Sequence, residues 1–132
     1  MLRSRAMRPP DSILVVSRDA TSLQGLTRAL LRSGMPVSSA LGWSEGAARL
    51  HRIPVSLVVT DVEELSLAEL DRVRHLRAEF PRLAVIALVS LATPEASTAK
   101  TEGLVLAVLE KPIALGELEA AVHTALSRGA SA

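Results

Sequence analysis

The sequence predicts an α/β fold in which a doubly wound, five-stranded parallel sheet lies between two layers of helices. Short apolar runs rich in β-branched residues alternate with longer segments of helical period along most of the chain. Such alternation is typical of strands joined by right-handed helical crossovers, which place helices on both faces of one sheet. The 132 residues are 48% apolar and 22% charged, which suits a single globular domain.

The first two predicted strands are each followed by a helix. An apolar run at 13–16 precedes a segment at 21–32 in which leucines share one face, and Gly34 follows as a C-cap. A weaker strand at 36–39 leads to a short helix at 44–50, which begins with a Ser-Glu pair that can cap it.

The middle of the chain holds the two clearest strands. A β-branched run at 56–60 ends on Asp61, and the helix predicted at 66–79 repeats leucine or valine at steps of three before Pro81 closes it. Residues 83–89 are apolar on both faces, as a central parallel strand should be.

The last third repeats the pattern. Thr93 is expected to cap a short helix at 94–102 that Gly103 ends. A fifth strand is predicted at 105–109, and the last helix, at 114–127, has apolar residues at helical spacing. Five strands thus alternate with five helices.

Charge and composition exclude several classes of function, including nucleic-acid binding and thiol chemistry. The formal net charge is +1, and three arginines fall in the first eight residues, so the domain itself is near neutral and has no basic field for DNA. Aromatic residues make up 2% of the chain, too few to stack single-stranded nucleic acid, and there is no cysteine for disulfides or thiolate sites. No apolar run is long enough for a signal peptide or a bilayer span. We expect a cytoplasmic protein that binds neither nucleic acid nor membrane.

The domain organisation follows from the same features. Residues 1–10 are expected to form a disordered basic arm, residues 11–128 one folded domain, and residues 129–132 a C-terminal tail. Four arginines near the third helix are interpreted as a solvated helix face, namely Arg72, Arg74, Arg77 and Arg82.

In an open parallel sheet, ligands and chemistry collect beyond the carboxyl ends of the strands. The residues that end or follow the first, third, fourth and fifth strands are Ser17, Arg18, Asp19, Asp61, Val89, Ser90, Glu110, Lys111 and Pro112.

Four strand patterns in register resemble those of a response-regulator receiver domain of two-component signalling. They read Ile-Leu-Val-Val from position 13, Leu-Val-Val-Thr-Asp ending at Asp61, Pro-Arg-Leu-Ala-Val-Ile-Ala-Leu from Pro81, and Glu-Lys-Pro-Ile from Glu110. The resemblance runs from about Ser12 to Leu126 and implies the flavodoxin-like receiver fold. It implies that Asp61 occupies the phosphoacceptor position and that Lys111 pairs with it, with a candidate cis bond from Lys111 to the proline after it.

The chain departs from the receiver pattern where the family has an acidic pair, because Ser17 and Arg18 stand there. Magnesium depends on carboxylate ligands, so we expect an impaired metal site at Asp19 and Asp61, with no cofactor or with weakly bound Mg²⁺. Asp19 is equally well placed to cap the first helix. For Arg18 there are two interpretations: a solvated loop side chain, or a guanidinium that lies in the vacated metal site and pairs with Asp61 or Asp19.

Other switch positions also differ. Val89 stands where the resemblance implies a Thr or Ser hydroxyl, and Ser90, one residue on, should point to the other face of the strand unless the register slips by one. Val108 replaces the aromatic residue expected in the fifth strand, and residues 62–69 replace the Met-Pro and Asp-Gly pieces expected after the third.

We therefore expect a stand-alone atypical receiver, not an enzyme, in bacterial phosphorelay signalling, with weak or no aspartyl phosphorylation. It would be a monomer or weak homodimer that binds a histidine kinase or downstream effector through helix 4, strand 5 and helix 5. The alternative is a phosphoprotein modified at Asp61, in which Asp19 and Asp61 hold magnesium and Ser90 supplies the hydroxyl. A flavodoxin-like cofactor binder is a third hypothesis, disfavoured because no glycine-rich phosphate loop follows the first strand.

Overall fold

A computed structural model describes residues 12–131. Five strands and five helices alternate along this part of the chain. The strands are β1 (Ile13–Ser17), β2 (Val37–Leu41), β3 (Leu57–Val62), β4 (Ala84–Val89) and β5 (Ala107–Glu110). The helices are α1 (Ala20–Arg32), α2 (Gly42–Leu50), α3 (Leu67–Glu79), α4 (Pro94–Thr101) and α5 (Leu115–Ser131). The predicted basic arm at 1–10 lies outside the described residues.

All five strands pair in parallel in the order β2-β1-β3-β4-β5. The order reverses at β1, which pairs with β2 on one side and β3 on the other, so the carboxyl ends of β1 and β3 form the switch point. The fold-class prediction is confirmed, since this is the flavodoxin-like receiver fold. No helix among residues 12–131 is long and apolar enough to cross a membrane.

Buried side chains on the two faces of the sheet form separate clusters. Ile13 and Val15 face a cluster that includes residues of α1 and α5. Leu14 and Val16 face the opposite way, toward residues of α2 and α3. Because successive residues of a strand point to opposite faces, a strand covered on both sides has to be apolar on both faces, as β1 is from Ile13 to Val16.

Element boundaries differ most where the strands are short. The α2 helix begins at Gly42, not at Ser44, so the predicted Ser-Glu start is wrong. Gly42 has a φ of +82°, and this left-handed conformation turns the chain directly from β2 into α2. The backbone N–H of Leu41, the N-cap residue, donates to Glu45 Oε2 at 3.0 Å. The glutamate side chain thus reaches back to the start of the helix and accepts a backbone N–H there. At the other end of the chain, α5 continues to Ser131 through the residues assigned to a tail.

Charged residues are sorted along the helices. Acidic residues stand at the N-cap or in the first turn of each helix, namely Asp19, Glu45, Glu69, Glu95 and Glu117. Basic residues stand in the last turn of the first four, namely Arg32, Arg49, Arg77 and Lys100. This arrangement complements the partial charges of the helix ends. It also places acidic groups at the carboxyl edge of the sheet and basic groups at the amino edge.

Candidate functional site

A pocket of about 430 Å³ opens at the carboxyl edge of the sheet, beside the switch point. The end of β1, the end of β3, the first turn of α3 and the residue after β5 contribute its lining. Two cations, Arg18 and Lys111, line it together with five carboxylates. The carboxylates are Asp19, Asp61, Glu63, Glu64 and Glu69.

Asp61 is the centre of this pocket. Its side chain is 6% exposed, and both carboxylate oxygens have partners. Lys111 Nζ lies 2.5 Å from Asp61 Oδ1, and the hydroxyl of Ser17 donates to Asp61 Oδ2 at 2.7 Å. Ser17 and Asp61 are register partners on the neighbouring strands β1 and β3, which explains why the two side chains meet. The carboxylate is thus fixed from both sides.

The end of β5 positions Lys111. Glu110 pairs with Val89 of β4, and the backbone N–H of Lys111 donates to the carbonyl of Val89 at 2.8 Å. The peptide bond between Lys111 and Pro112 is cis, so the candidate cis bond is present in the structure. The structure therefore brings together Asp61 and Lys111, which the sequence placed on different strands.

Asp19 caps α1. Its Oδ2 accepts the backbone N–H of Ser22 at 3.1 Å and the Ser22 hydroxyl at 2.6 Å. These hydrogen bonds, the one from the Ser22 side chain foremost, hold the pKa of Asp19 below its ordinary value of 3.8. Of the two interpretations of Asp19, the structure therefore shows the helix cap.

The capping role makes the stability of the domain depend on pH. A carboxyl group whose pKa is lower in the folded than in the unfolded protein stabilises the folded state at any pH above its pKa in the unfolded protein. This stabilisation is lost as the pH falls through the pKa of the folded protein. Asp19→Ala should therefore lower the melting temperature near neutral pH, and the difference from the wild type should shrink below about pH 4. Thermal melts of both proteins across this range test it, with Asp19→Asn as the control that keeps an acceptor but does not titrate. A difference that stays constant down to about pH 2.5 would contradict the assignment.

Arg18 does not lie against Asp61 or Asp19, so of its two interpretations the pairing in a vacated metal site is not what the structure shows. Its guanidinium reaches across the pocket mouth to Glu69 Oε2 at 3.1 Å, while the side chain stays 71% exposed. Glu69 is 8% exposed and also lies 3.7 Å from Arg72, whose guanidinium is 5.7 Å from the centre of the Trp43 ring. A buried carboxylate with two cations outcompetes Asp61, which Lys111 already neutralises.

Sequence reasoning missed Glu69. The available signal was the Ser-x-x-Glu spacing of a capping box, with Ser66 as N-cap of α3 and Glu69 at the third helical position. The Ser66 hydroxyl accepts the backbone N–H of Glu69 at 3.3 Å, as that motif predicts. The ion pair with Arg18 could not be read in this way, because it joins residues 51 positions apart.

The end of β4 supplies no hydroxyl toward Asp61. Val89 is fully buried and pairs with Val62 in register, so β4 does not slip by one residue. Ser90 follows the strand, is exposed, and its backbone N–H donates to the carbonyl of Glu63 at 2.8 Å. Among the described residues, neither Val89 nor Ser90 lines the pocket.

The donor set does not fit the magnesium ion that the receiver resemblance implies. Magnesium requires several oxygen ligands in near-octahedral array. Although five carboxylates line the pocket, within residues 12–131 no three His, Cys, Asp or Glu side chains are grouped so that they could hold a metal ion. Asp19 is engaged by Ser22, and both oxygens of Asp61 already have donors.

No family model and no curated protein match this chain, whereas solved structures do. A response regulator receiver domain protein from Clostridium thermocellum is 27% identical, over 89% of this chain and 95% of that chain, with a TM-score of 0.75. A response regulator receiver protein from Pseudomonas putida is 27% identical, over 89% of this chain and 99% of that chain, with a TM-score of 0.77.

A third similar structure supports the fold. The signal receiver domain of an HD domain-containing protein from Pseudomonas fluorescens Pf-5 is 24% identical, over 95% of this chain and all of that chain (100%), with a TM-score of 0.81. Strand order, strand-end residues and these similarities agree: the chain has the receiver fold and is similar to receiver domains of the response-regulator type.

Proposed function

We propose that this protein is an atypical receiver that acts in two-component signal transduction by binding a protein partner, with little or no Mg²⁺-dependent phosphorylation of Asp61. The observation that carries the proposal is the Ser17 hydroxyl, 2.7 Å from Asp61 Oδ2, at a position where the receiver resemblance implies an acidic residue. A neutral donor there takes up a carboxylate oxygen and supplies no charge to hold a metal ion.

The chemistry of phosphoryl transfer explains why the loss of metal ligands matters. Transfer to a carboxylate depends on positioning and on stabilising the charge that spreads over the equatorial oxygens. Lys111 supplies one cation at Asp61, but the loop after β1 supplies Ser17 and Arg18, and Arg18 is committed to Glu69. On this proposal the carboxylate of Asp61 stays unphosphorylated, and the partner-binding surface keeps a single conformation.

The partner surface proposed is α4, β5 and α5. β5 is one of the two edge strands of the sheet, and its residues are not fully buried, so this side of the domain is open to another protein. A histidine kinase or a downstream effector is the expected partner class.

The test is phosphorylation by a small donor. After incubation with acetyl phosphate and Mg²⁺, the intact mass of the wild type should show no stable stoichiometric adduct, because charge stabilisation by a metal ion is missing. Asp61→Ala is the matched control for adducts at other residues. A stoichiometric gain of about 80 Da that is lost in Asp61→Ala would contradict the proposal, since one phosphoryl group then reaches the carboxylate despite the missing ligands.

That result would support the second candidate, a phosphoaccepting receiver modified at Asp61. The observation that favours it is the distance of 2.5 Å between Lys111 Nζ and Asp61 Oδ1, which keeps a cation at the acceptor. It also requires Asp19 to leave Ser22 and bind magnesium, and Ser90 to turn toward the pocket.

A further inference from the structure

A second cavity lies at the amino edge of the sheet, on the opposite side from Asp61. It has a volume of about 340 Å³ and is lined from the ends of α3 and α4, the start of β4, the loop before β5, and α5. Its apolar lining includes Leu83 and Val105, which are buried, together with Ala84, Leu106 and Ala125. Known small-molecule sites are mostly apolar clefts of roughly 300 to 1,000 Å³, so the size suits a small ligand.

Three cations surround this apolar floor. Arg77 comes from the last turn of α3, Arg82 from the turn before β4, and Lys100 from the last turn of α4. No acidic side chain lines the cavity among the described residues. Arg82 and Lys100 have no ion-pair partner within residues 12–131. Three uncompensated cations from separate elements create a local positive field that favours an anionic ligand.

The arginines that the sequence suggested as one solvated face therefore separate into two groups. Arg72 lies beside Glu69, and Arg74 pairs with Asp71 at 3.2 Å, so both have acidic neighbours on α3 itself. Arg77 and Arg82 instead converge on the cavity. Ordinary helix-surface pairing accounts for the first group and leaves the second unexplained.

Arg77 is held in place by the loop before β5. One of its terminal nitrogens donates to the carbonyls of Gly103 at 3.2 Å and Leu104 at 3.0 Å. Gly103 has a φ of +79°, a conformation that favours glycine, so this loop shape is built into the sequence. The Nε–H of Arg77 is buried and has no acceptor among the described residues. A guanidinium fixed in this way at the cavity is a suitable partner for an oxyanion.

We propose that this cavity binds a small organic anion, with its apolar body on the floor formed by the start of β4, the loop before β5 and α5, and its anionic group among Arg77, Arg82 and Lys100. The class comprises carboxylates, sulfonates and phosphate monoesters that carry an apolar group. The site is independent of Asp61 and does not rest on the proposed signalling function.

The test uses 8-anilinonaphthalene-1-sulfonate, a fluorescent apolar anion, and N-phenyl-1-naphthylamine, which has the same aromatic body without the sulfonate. The sulfonate probe should bind the wild type saturably with one site, and at least about tenfold more tightly than the uncharged probe, since charge-assisted contacts add to the apolar burial. Arg82→Glu/Lys100→Glu should weaken binding of the sulfonate at least about tenfold. Arg52→Glu/Arg74→Glu changes the net charge equally and should leave the affinity within about twofold.

Amide chemical shifts of the wild type locate the probe. The proposal expects the largest changes at Ala84, Gly103 and Leu106. It is overturned if the shifts map instead to the groove between α1 and β2, where Leu31 and Leu41 are exposed, or if both charge-reversed variants lose affinity alike. Circular dichroism confirms that each variant is folded. If Arg82→Glu/Lys100→Glu does not fold, Arg82→Gln/Lys100→Gln replaces it, and unchanged affinity there overturns the proposal.

Discussion

Replacing Ser17 and Arg18 together by aspartate should give a receiver whose melting temperature rises with Mg²⁺, whereas the wild type should show no such rise. The first new carboxylate would stand where Ser17 Oγ now lies, 2.7 Å from Asp61 Oδ2, so like charges would repel and destabilise the fold without metal. A cation that binds only the folded state relieves this repulsion. At a hundredfold excess over its Kd it adds about 2.7 kcal/mol, or about 10 °C for a domain of this size.

Thermal melts with and without MgCl₂ measure this effect. Ser17→Asn/Arg18→Asn is the matched control, since it removes the same hydroxyl and guanidinium without adding charge, and its melting temperature should not respond to Mg²⁺. An equal rise in the wild type would contradict the account of the pocket, because it would mean that the present residues already bind the ion.

Lys111→Met should lower the free energy of unfolding by about 2 to 3 kcal/mol, because it leaves a carboxylate in the pocket without its cation. Asp61 is 6% exposed, so water cannot readily replace the lost partner. This loss is smaller than that expected for a fully buried ion pair, because the side chain of Lys111 is 31% exposed. Urea unfolding at neutral pH measures the change.

A double-mutant cycle separates the ion pair from the packing of the lysine stem. Asp61→Ala should lower the free energy of unfolding by less than about 1 kcal/mol, since the ammonium group of Lys111 can then be hydrated. The double variant should have nearly the stability of Asp61→Ala, so the coupling between the two sites should be about 2 to 3 kcal/mol. If Lys111→Met is equally destabilising with and without Asp61, the loss comes from the stem, and the pair contributes nothing.

The centre of the fold could be predicted because its physical constraints are local and repetitive. A strand covered on both faces is apolar at successive positions over most of its length, which is why β1, β3 and β4 were identified within one or two residues. Helix α3 begins after Ser66, and α4 begins at Pro94 after its cap Thr93. Each cap is a side chain that satisfies backbone donors a few residues away, so it can be read from the sequence.

The edge strands and the ends of the neighbouring elements were harder to predict, because contacts between residues far apart in the sequence determine where they begin and end. β2 is an edge strand whose burial varies along its length, and the start of α2 depends on the positive φ of Gly42 rather than on a polar cap. β5 begins at Ala107 instead of residue 105, because the loop after Gly103 continues past Val105 before pairing starts. An apolar residue in a loop cannot be distinguished by pattern from one in a strand.

At the site, the residues at strand ends could be predicted, but not all of their partners. Topology brings the ends of parallel strands to one edge, and the pairing of Lys111 with Asp61 was implied by the receiver resemblance. Which carboxylate Arg18 pairs with depends on how deeply each carboxylate is buried. Glu69, 8% exposed, is reached across the pocket, and only the packed structure shows that this glutamate is available.

The sorting of charge along the helices has a consequence for the molecule in solution. Acidic groups at the five helix starts carry a full charge each, against about half a positive charge from each helix end, so the side chains set the sign at that edge. With basic groups at the other edge, a protein of net charge +1 has a sizeable permanent dipole moment along its strands. A charged partner exerts a torque on such a dipole before contact, within a Debye length of about 10 Å at 0.1 M salt. Orientation during encounter is thereby biased by the field of the partner, and the bias weakens as salt is added.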